Sequence, residues 1–148
     1  MIRIERFRFE DKILRRQAFA IRTRVFVEEQ HVDPKLEYDE FEKTSHHYLA
    51  FADGQPIGTA RWRETPKGIK LERFAVLPEF RDHKTGAALL KMVLDDTVPL
   101  NKLIYLHSQI RAVPFYERHG FKIRGGSFFE AGMEHYLMVY SDAVVIKA

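Results

Sequence analysis

Residues 71–94 read LERFAVLPEFRDHKTGAALLKMVL. The pattern predicts an apolar strand, a turn at Pro78, a basic loop that contains Gly86, and then an amphipathic helix. The first N–H groups of a helix have no carbonyl partner, so such a junction is a ready site for an anion. Glycine lets the ligand approach the backbone closely. The segment therefore predicts that an anion binds where the strand meets the helix.

The composition favours one globular domain over residues 1–148. Hydrophobic residues make up 45% of the chain and aromatic residues 13%, which is enough for a packed core. The formal net charge is only +3, which suits an anionic small ligand and makes no case for nucleic acid by itself. The absence of cysteine excludes disulfides and thiolate metal sites and favours a reducing compartment. No apolar run has the length of a signal or membrane segment, so we expect a cytoplasmic protein without a membrane partner.

The N-terminal part of the chain predicts a strand followed by a helix. Isoleucine and phenylalanine alternate imperfectly with arginine over residues 2–9. Residues 26–43 are acidic and aromatic, and Pro34 interrupts them, so we expect an irregular segment with room for a short second helix. Between these two segments, Asp11 stands as a helix cap before apolar residues at helical spacing, which are Ile13, Leu14, Ala18, Ile21 and Val25.

From residue 46 onward the apolar pattern becomes that of strands. Asp53 and Gly54 separate two strand patterns and supply the positive φ values of a tight hairpin turn. A second turn at Gly68 leads into a third antiparallel strand. Residues 103–109, LIYLHSQ, are typical of a strand at a sheet centre, and a short helix and two more strands follow. This order predicts an α+β fold.

Five segments of the chain, taken together, resemble the GNAT acetyltransferase superfamily. The loop RDHKTGA at 81–87 is similar to the pyrophosphate loop of the superfamily, and FYERHGF at 115–121 is similar to its Phe-Tyr-x-x-x-Gly-Phe element. Three further segments resemble the small bacterial ElaA/YjcF-like branch, namely VFVEEQ at 25–30 with Tyr38 and Asp39, LHSQ at 106–109, and FEAG at 129–132 with His135 and Met138. All five occur in the expected order over nearly the whole chain.

The resemblance implies a fold and an activity. The fold is α+β with α/β/α layers, in which a mixed, mostly antiparallel sheet of about six or seven strands splays after the fourth strand and is flanked by about four helices. The activity is N-acetyl transfer from acetyl-CoA to a primary amine, by direct attack in a ternary complex and without a metal. The acceptor is a small-molecule amine or a peptide amine. The residues implied for cofactor binding are Phe74, Ala75, Val76, Arg81, Lys84, Thr85, Gly86 and Ala87.

The loop departs from the superfamily pattern at one position. Lys84 stands where the superfamily usually has its first loop glycine. A lysine supplies charge to a pyrophosphate, but it does not adopt the left-handed dihedrals of glycine cheaply. This departure keeps a second function open, that of a non-catalytic acyl-CoA-binding or adaptor protein on the same fold.

The chemistry of amine acylation selects candidate catalytic residues. Tyr116 is the expected general acid, because of its place in the Phe-Tyr-x-x-x-Gly-Phe element and because a phenol with a reference pKa of about 10 holds its proton at pH 7. The protonated amine needs a base, and the candidates are Glu72 on the fourth strand and His107 on the fifth. Each has a structural alternative. Glu72 is placed to form a salt bridge with Arg61 or Arg63 across the strand pair, and His107 is placed to be a hydrogen-bonded core residue.

Other residues are candidates for binding the acceptor. The resemblance implies that His135 lines the acceptor pocket from one side, and that a set of acidic and aromatic residues makes the other side attractive to a cationic amine. The alternative for that set is a solvated acidic loop. Its members are Glu28, Glu29, Tyr38 and Asp39.

Two other kinds of partner are weighed and not favoured. His46 and His47 are adjacent on a strand and point to opposite faces, so they do not share a metal ion. Arginines crowd the N-terminus, but acidic residues dilute the patch and no nucleic-acid recognition motif is present. The last strands offer an edge for a homodimer.

Overall fold

The computed structural model describes residues 1–141, apart from the side chains of residues 82 and 83. Within this range the chain forms one mixed sheet of eight strands with helices on both faces. The strands are β1 (Ile2–Phe7), β2 (His46–Ala52), β3 (Gln55–Thr65), β4 (Gly68–Val76), β5 (Ile104–Gln109), β6 (Phe121–Ile123), β7 (Phe128–Glu130) and β8 (Met133–Tyr140). The α-helices are α1 (Lys12–Arg22), α2 (Pro34–Glu37), α3 (Thr85–Thr97) and α4 (Val113–Arg118).

The sheet order is β1-β2-β3-β4-β5-β8-β6, and β7 pairs with β8 beside β6. Every pairing is antiparallel except that of β4 with β5, which are parallel. This architecture confirms the predicted mixed, mostly antiparallel sheet. The hairpin between β2 and β3 is also confirmed, because Asp53 and Gly54 both have positive φ, at 50° and 82°. The short strand β7 was not predicted.

The first helix begins at the cap that the sequence predicts, and then continues with a different winding. The Asp11 carboxylate accepts a hydrogen bond from the Leu14 backbone N–H at 3.1 Å and caps α1, as predicted. The helix continues as a π-helix over Thr23–Glu29. Pro34 lies in the first turn of α2, directly after the N-cap residue Asp33. The N–H that proline lacks would have no intrahelical partner at this position, so proline is tolerated there.

The two faces of the sheet carry separate cores. On one face, α1 and the π-helix pack through Ala18, Ile21 and Val25 against β1, β2 and the end of β4. On the other face, α3 and α4 pack against a larger core whose central members include Ile57, Leu71, Leu89, Leu106 and Met138. The first core stops at β4, so the π-helix face of β5, β7 and β8 is left open. No helix in the part of the chain described has the length and apolar character needed to cross a membrane.

Strands β4 and β5 separate soon after they meet. They pair over only three residues, Ile69–Leu71 with Ile104–Leu106. β4 also bulges toward its end, since the register with β3 shifts between Thr59 and Arg61 and Arg73 has a φ of 59°. The result is a V-shaped gap between the ends of β4 and β5, with α3 starting beside it.

Candidate active site

A cleft of about 1060 Å³ occupies the gap between β4 and β5. The ends of both strands line it, together with the start of α3, the inner side of α4, the segment from Val25 to Glu37, and the turn between β7 and β8. It therefore joins the face covered by the π-helix to the face covered by α3 and α4. A long ligand can enter from one face while a second molecule approaches from the other.

The end of β4 forms one wall of the cleft. Phe74, Ala75 and Val76 all line it, as the sequence led us to expect. Because β5 has diverged, the backbone of this segment has no strand neighbour on that side. The Val76 carbonyl instead accepts a hydrogen bond from Arg81 Nε at 3.0 Å. This stretch of backbone is therefore available to an extended ligand that can displace one arginine contact.

The basic loop before α3 lies at one end of the cleft. Arg81, Lys84, Gly86 and Ala87 line it, whereas Thr85 is buried against the sheet and does not. The Thr85 hydroxyl has no hydrogen-bond partner in the described part of the chain. Thr85 is thus placed to meet an anion through its backbone N–H, which is one of the first of α3, and not through its side chain.

Lys84 adopts a left-handed backbone conformation, which is the one expected at a position where relatives of this fold usually have glycine. It has a φ of 62° and a ψ of 20°, which is the left-handed region. The loop thus keeps the conformation that glycine adopts without strain, and the lysine carries the conformational cost. The lysine in turn brings a charge to a wall of the cleft where an anionic ligand is expected.

Arg81 is already engaged by a carboxylate. Its guanidinium donates to both carboxylate oxygens of Glu29, at 2.8 and 2.7 Å. The hydrogen bond from Arg81 lowers the pKa of Glu29, against the opposing effect of burial. Glu29 lies at the end of the π-helix, so this pair ties the π-helix to the basic loop at residues 81–87. Next to it, Gln30 Oε1 accepts from Gln109 Nε2 at 2.8 Å and ties the same segment to the end of β5.

Tyr116 lies on the wall opposite the π-helix. Its ring is packed by Phe74, Phe115 and Phe121, all in edge-on contact. The residue is 9% exposed and lines the cleft, and its hydroxyl makes no hydrogen bond to another residue of the described chain. Burial raises the pKa of Tyr116, so the phenol holds its proton at neutral pH. An uncommitted, protonated hydroxyl on the cleft wall can act as an acid.

Glu72 lies on the floor of the cleft but is held by cations. Its carboxylate accepts from Arg61 Nη2 at 2.8 Å and Arg63 Nε at 2.9 Å, and Lys70 Nζ is 3.2 Å away. Burial would raise the pKa of Glu72, but the three cations outweigh it and lower the pKa to about 2. The salt-bridge alternative is therefore what the structure shows, and such a carboxylate has little affinity for a proton at neutral pH.

His107 is the better placed of the two candidate bases. Its Nδ1 is 2.9 Å from Glu130 Oε1, and both residues line the cleft. The hydrogen bond from His107 lowers the pKa of Glu130, which outweighs the opposing effect of its partial burial. When Nδ1–H donates to the carboxylate, Nε2 is left as a neutral acceptor of protons. His135 lines the same part of the cleft, and its Nδ1 is 2.8 Å from the Met133 carbonyl.

The acidic and aromatic residues predicted to line one side of the acceptor pocket do not line the cleft. Glu28 is exposed outside the cleft, because it lies on the outer side of the π-helix. The Tyr38 hydroxyl faces α1 instead, where it contacts the Thr23 hydroxyl and donates to the Phe19 carbonyl at 3.2 Å. Asp39 is bound bidentately by Arg61, at 3.0 and 2.8 Å. The segment instead presents apolar side chains to the cleft, which are Val25, Phe26, Val32 and Leu36.

A buried network of charges anchors this segment and was not predicted. Arg22 is 1% exposed and binds Glu37 Oε2 at 2.7 Å and Glu42 at 2.7 and 2.9 Å. Arg61, which is fully buried, extends the network to the sheet. The sequence did carry a signal, because residue 22 lies within the apolar stripe of α1, four residues after Ala18 and three before Val25. A charge in an apolar stripe indicates a buried partner.

A comparison with known proteins identifies the family. The model of the acetyltransferase (GNAT) domain matches residues 10–141. The chain belongs to the GNAT acetyltransferases. It is 34% identical to the N-acetyltransferase YjcF of Bacillus subtilis over 126 residues, which cover 84% of this chain and 90% of that relative.

Solved structures show the same GNAT fold. Escherichia coli ElaA superposes with a TM-score of 0.81 at 22% identity, covering 93% of this chain and 99% of that one. An acyl-CoA N-acyltransferase from Pseudomonas aeruginosa superposes with a TM-score of 0.83 at 24% identity, covering 95% of this chain and all of the other. The predicted resemblance to the ElaA/YjcF-like branch is therefore confirmed. This GNAT protein is an acyl-CoA-dependent N-acetyltransferase.

Proposed function

We propose that this protein acetylates a primary amine by direct attack on acetyl-CoA in a ternary complex, with His107 as base and Tyr116 as acid. The observation that carries the proposal is the arrangement of the cleft. One continuous opening holds the free backbone of β4, the start of α3, a protonated phenol and a histidine–carboxylate pair. Acetyl-CoA supplies an activated thioester, and the chain supplies groups for binding and proton transfer.

The residues of the cleft fit an elongated, phosphorylated co-substrate. The backbone from Phe74 to Val76, which has no strand neighbour on the side of β5, matches a ligand that carries amide groups, as an added strand would. The N–H groups at the start of α3 and the charge of Lys84 match a pyrophosphate. A backbone N–H at the end of β4 is suited to polarise a thioester carbonyl as charge develops on its oxygen.

The two proton transfers are assigned by geometry and protonation state. An alkyl amine is mostly protonated at pH 7, since its reference pKa is about 10, and it must lose a proton before it attacks. His107 Nε2 accepts that proton, while the Glu130 carboxylate holds Nδ1–H and stabilises the resulting imidazolium. Tyr116 holds the proton that a leaving sulfur requires. We do not assign the base to Glu72, because three cations already neutralise it.

The test is acetyl-CoA turnover measured by the release of CoA thiol over a panel of primary amines. Tyr116→Phe is expected to lower kcat by about 100-fold, which is the scale of one general acid. Its affinity for acetyl-CoA, measured by calorimetric titration, should stay the same. The matched control is Tyr105→Phe, because the Tyr105 hydroxyl bonds Thr65 at 2.7 Å and does not line the cleft.

Two outcomes would overturn parts of this proposal. If Tyr116→Phe turned over as fast as wild type, Tyr116 would not be the acid. If acetyl-CoA raised the thermal stability of the protein but no amine was acetylated, the competing function, a non-catalytic acyl-CoA-binding or adaptor protein, would be favoured. That competing function rests on Lys84, the residue that stands in a glycine position of the cofactor loop.

A further inference from the structure

We propose that the acceptor is a primary amine with a single positive charge on an aryl or alkyl body, and that polyamines and aminoglycosides are poor acceptors. The inference rests on the proposed amine acetylation and names the substrate class of the same site. It is carried by the distribution of charge and apolar surface in the half of the cleft that faces the π-helix.

The carboxylates near this half of the cleft are neutralised. Four of them form a network in which each contacts at least two arginine or lysine side chains within 4.0 Å. Five cations serve these four carboxylates, so the network as a whole carries no excess negative charge. Its carboxylates are Glu37, Asp39, Glu42 and Glu72, and its cations are Arg22, Arg61, Arg63, Lys70 and Arg73.

One carboxylate of the cleft lining is left for an ammonium group. Among the described residues that line the cleft, Glu37, Glu72 and Glu130 carry carboxylates. The first two are bound by arginines, whereas Glu130 pairs only with His107. The Glu130 side chain is 42% exposed, so an amine can reach it. A single ammonium group is therefore matched next to His107, which can take its proton, and the described residues of the lining offer no other free carboxylate to a second or third ammonium group.

Part of the cleft lining is apolar. Phe26 lines the cleft from the π-helix, Val32 from the segment that follows and Leu36 from α2, and Met133 lines it next to Glu130, with which it pairs across the β7–β8 hairpin. Leu36 is 55% exposed, which leaves its side chain open to a ligand in the cleft. An apolar body attached to the amine would cover this surface, whereas a polyhydroxylated or multiply charged body would have to be desolvated against it.

The test compares kcat/KM for phenethylamine, spermidine and kanamycin, with CoA thiol release as the readout. We expect phenethylamine to exceed both polycations by about ten-fold or more, which corresponds to burying part of an aryl group. Leu36→Asp should lower kcat/KM for phenethylamine by about five-fold or more without changing the KM for acetyl-CoA. The matched control is Ile13→Asp, because Ile13 is also an exposed apolar residue, at 73%, but lies at the start of α1 and outside the cleft.

The outcomes separate this inference from the proposed function. A higher kcat/KM for spermidine or kanamycin than for phenethylamine would overturn the inference and leave amine acetylation intact. Equal effects of Leu36→Asp and Ile13→Asp would also overturn it, because the apolar wall would then not contact the acceptor. If the protein still bound acetyl-CoA but released no CoA thiol with any amine, both the proposed function and this inference would be overturned.

Discussion

Replacing Lys84 with glycine should stabilise the protein. The lysine has a φ of 62° and a ψ of 20°, and this conformation costs a residue with a Cβ roughly 1–2 kcal/mol. Glycine removes that cost, but it loses about 0.5–1 kcal/mol more backbone entropy on folding than alanine does. The balance raises the free energy of unfolding by about 0.5–1 kcal/mol. For a chain of this size, Tm should rise by about 1–4 °C.

The assay is thermal unfolding without ligand, with two variants that isolate the cause. Lys84→Ala removes the charge but keeps a Cβ, so it should not share the gain. Lys91→Gly places glycine inside α3, at a side chain that is 78% exposed, and should lower stability by about 1 kcal/mol. The reasoning is refuted if Lys84→Gly melts at or below the temperature of Lys84→Ala, because the left-handed dihedral would then carry no cost.

Three further predictions concern charged residues. Glu72 has a pKa of about 2 against an ordinary 4.5, so it contributes about 3 kcal/mol of stability above pH 4.5 that is lost as the pH falls toward 2. In urea titrations the stability gap between wild type and Glu72→Gln should narrow over that range, and a constant gap would contradict the assignment. Arg22→Met should cost about 3 kcal/mol because it removes one of the two arginine partners from each of two buried carboxylates, Glu37 and Glu42, and a similar loss in the exposed control Arg16→Met would refute this. Glu29→Gln frees Arg81 and should lower the calorimetric Kd for acetyl-CoA by about ten-fold, whereas weaker binding would mean that Glu29 holds Arg81 in its binding position.

The elements that follow from local rules were predicted well. Asp11 caps its helix and the Asp53-Gly54 pair turns its hairpin, because both depend only on residues a few positions apart. The π-helix was not predicted. Its sequence does not differ visibly from that of an ordinary helix, and Val25 continues the apolar spacing of α1 through it. Pro34 predicts an irregular segment with room for a short second helix, and that helix is α2, because a proline ends one helix and begins another equally well.

In the candidate site too, features that lie within one continuous segment were predicted, whereas contacts between residues far apart in the sequence were not. The cofactor loop and Tyr116 lie in continuous segments, and the structure brings both to the cleft. The sequence predicts that Glu72 pairs with Arg61 or Arg63 on the neighbouring strand. It does not predict the low pKa of Glu72, because that depends on Arg61, Arg63 and Lys70 acting together. The pairing of His107 with Glu130 joins residues 23 positions apart through the turn before β8, and no spacing rule indicates it.

The separation of β4 from β5 has a consequence for the solubility of the protein. It creates two strand edges in the interior of a sheet, and an unpaired edge is a template onto which another polypeptide can add. Arg81 occupies the carbonyl of Val76 on one of these edges, and a side-chain bond between Gln30 and Gln109 lies at the end of the other. The Arg81 contact that a ligand must displace therefore also keeps one backbone acceptor of this edge from pairing with another polypeptide.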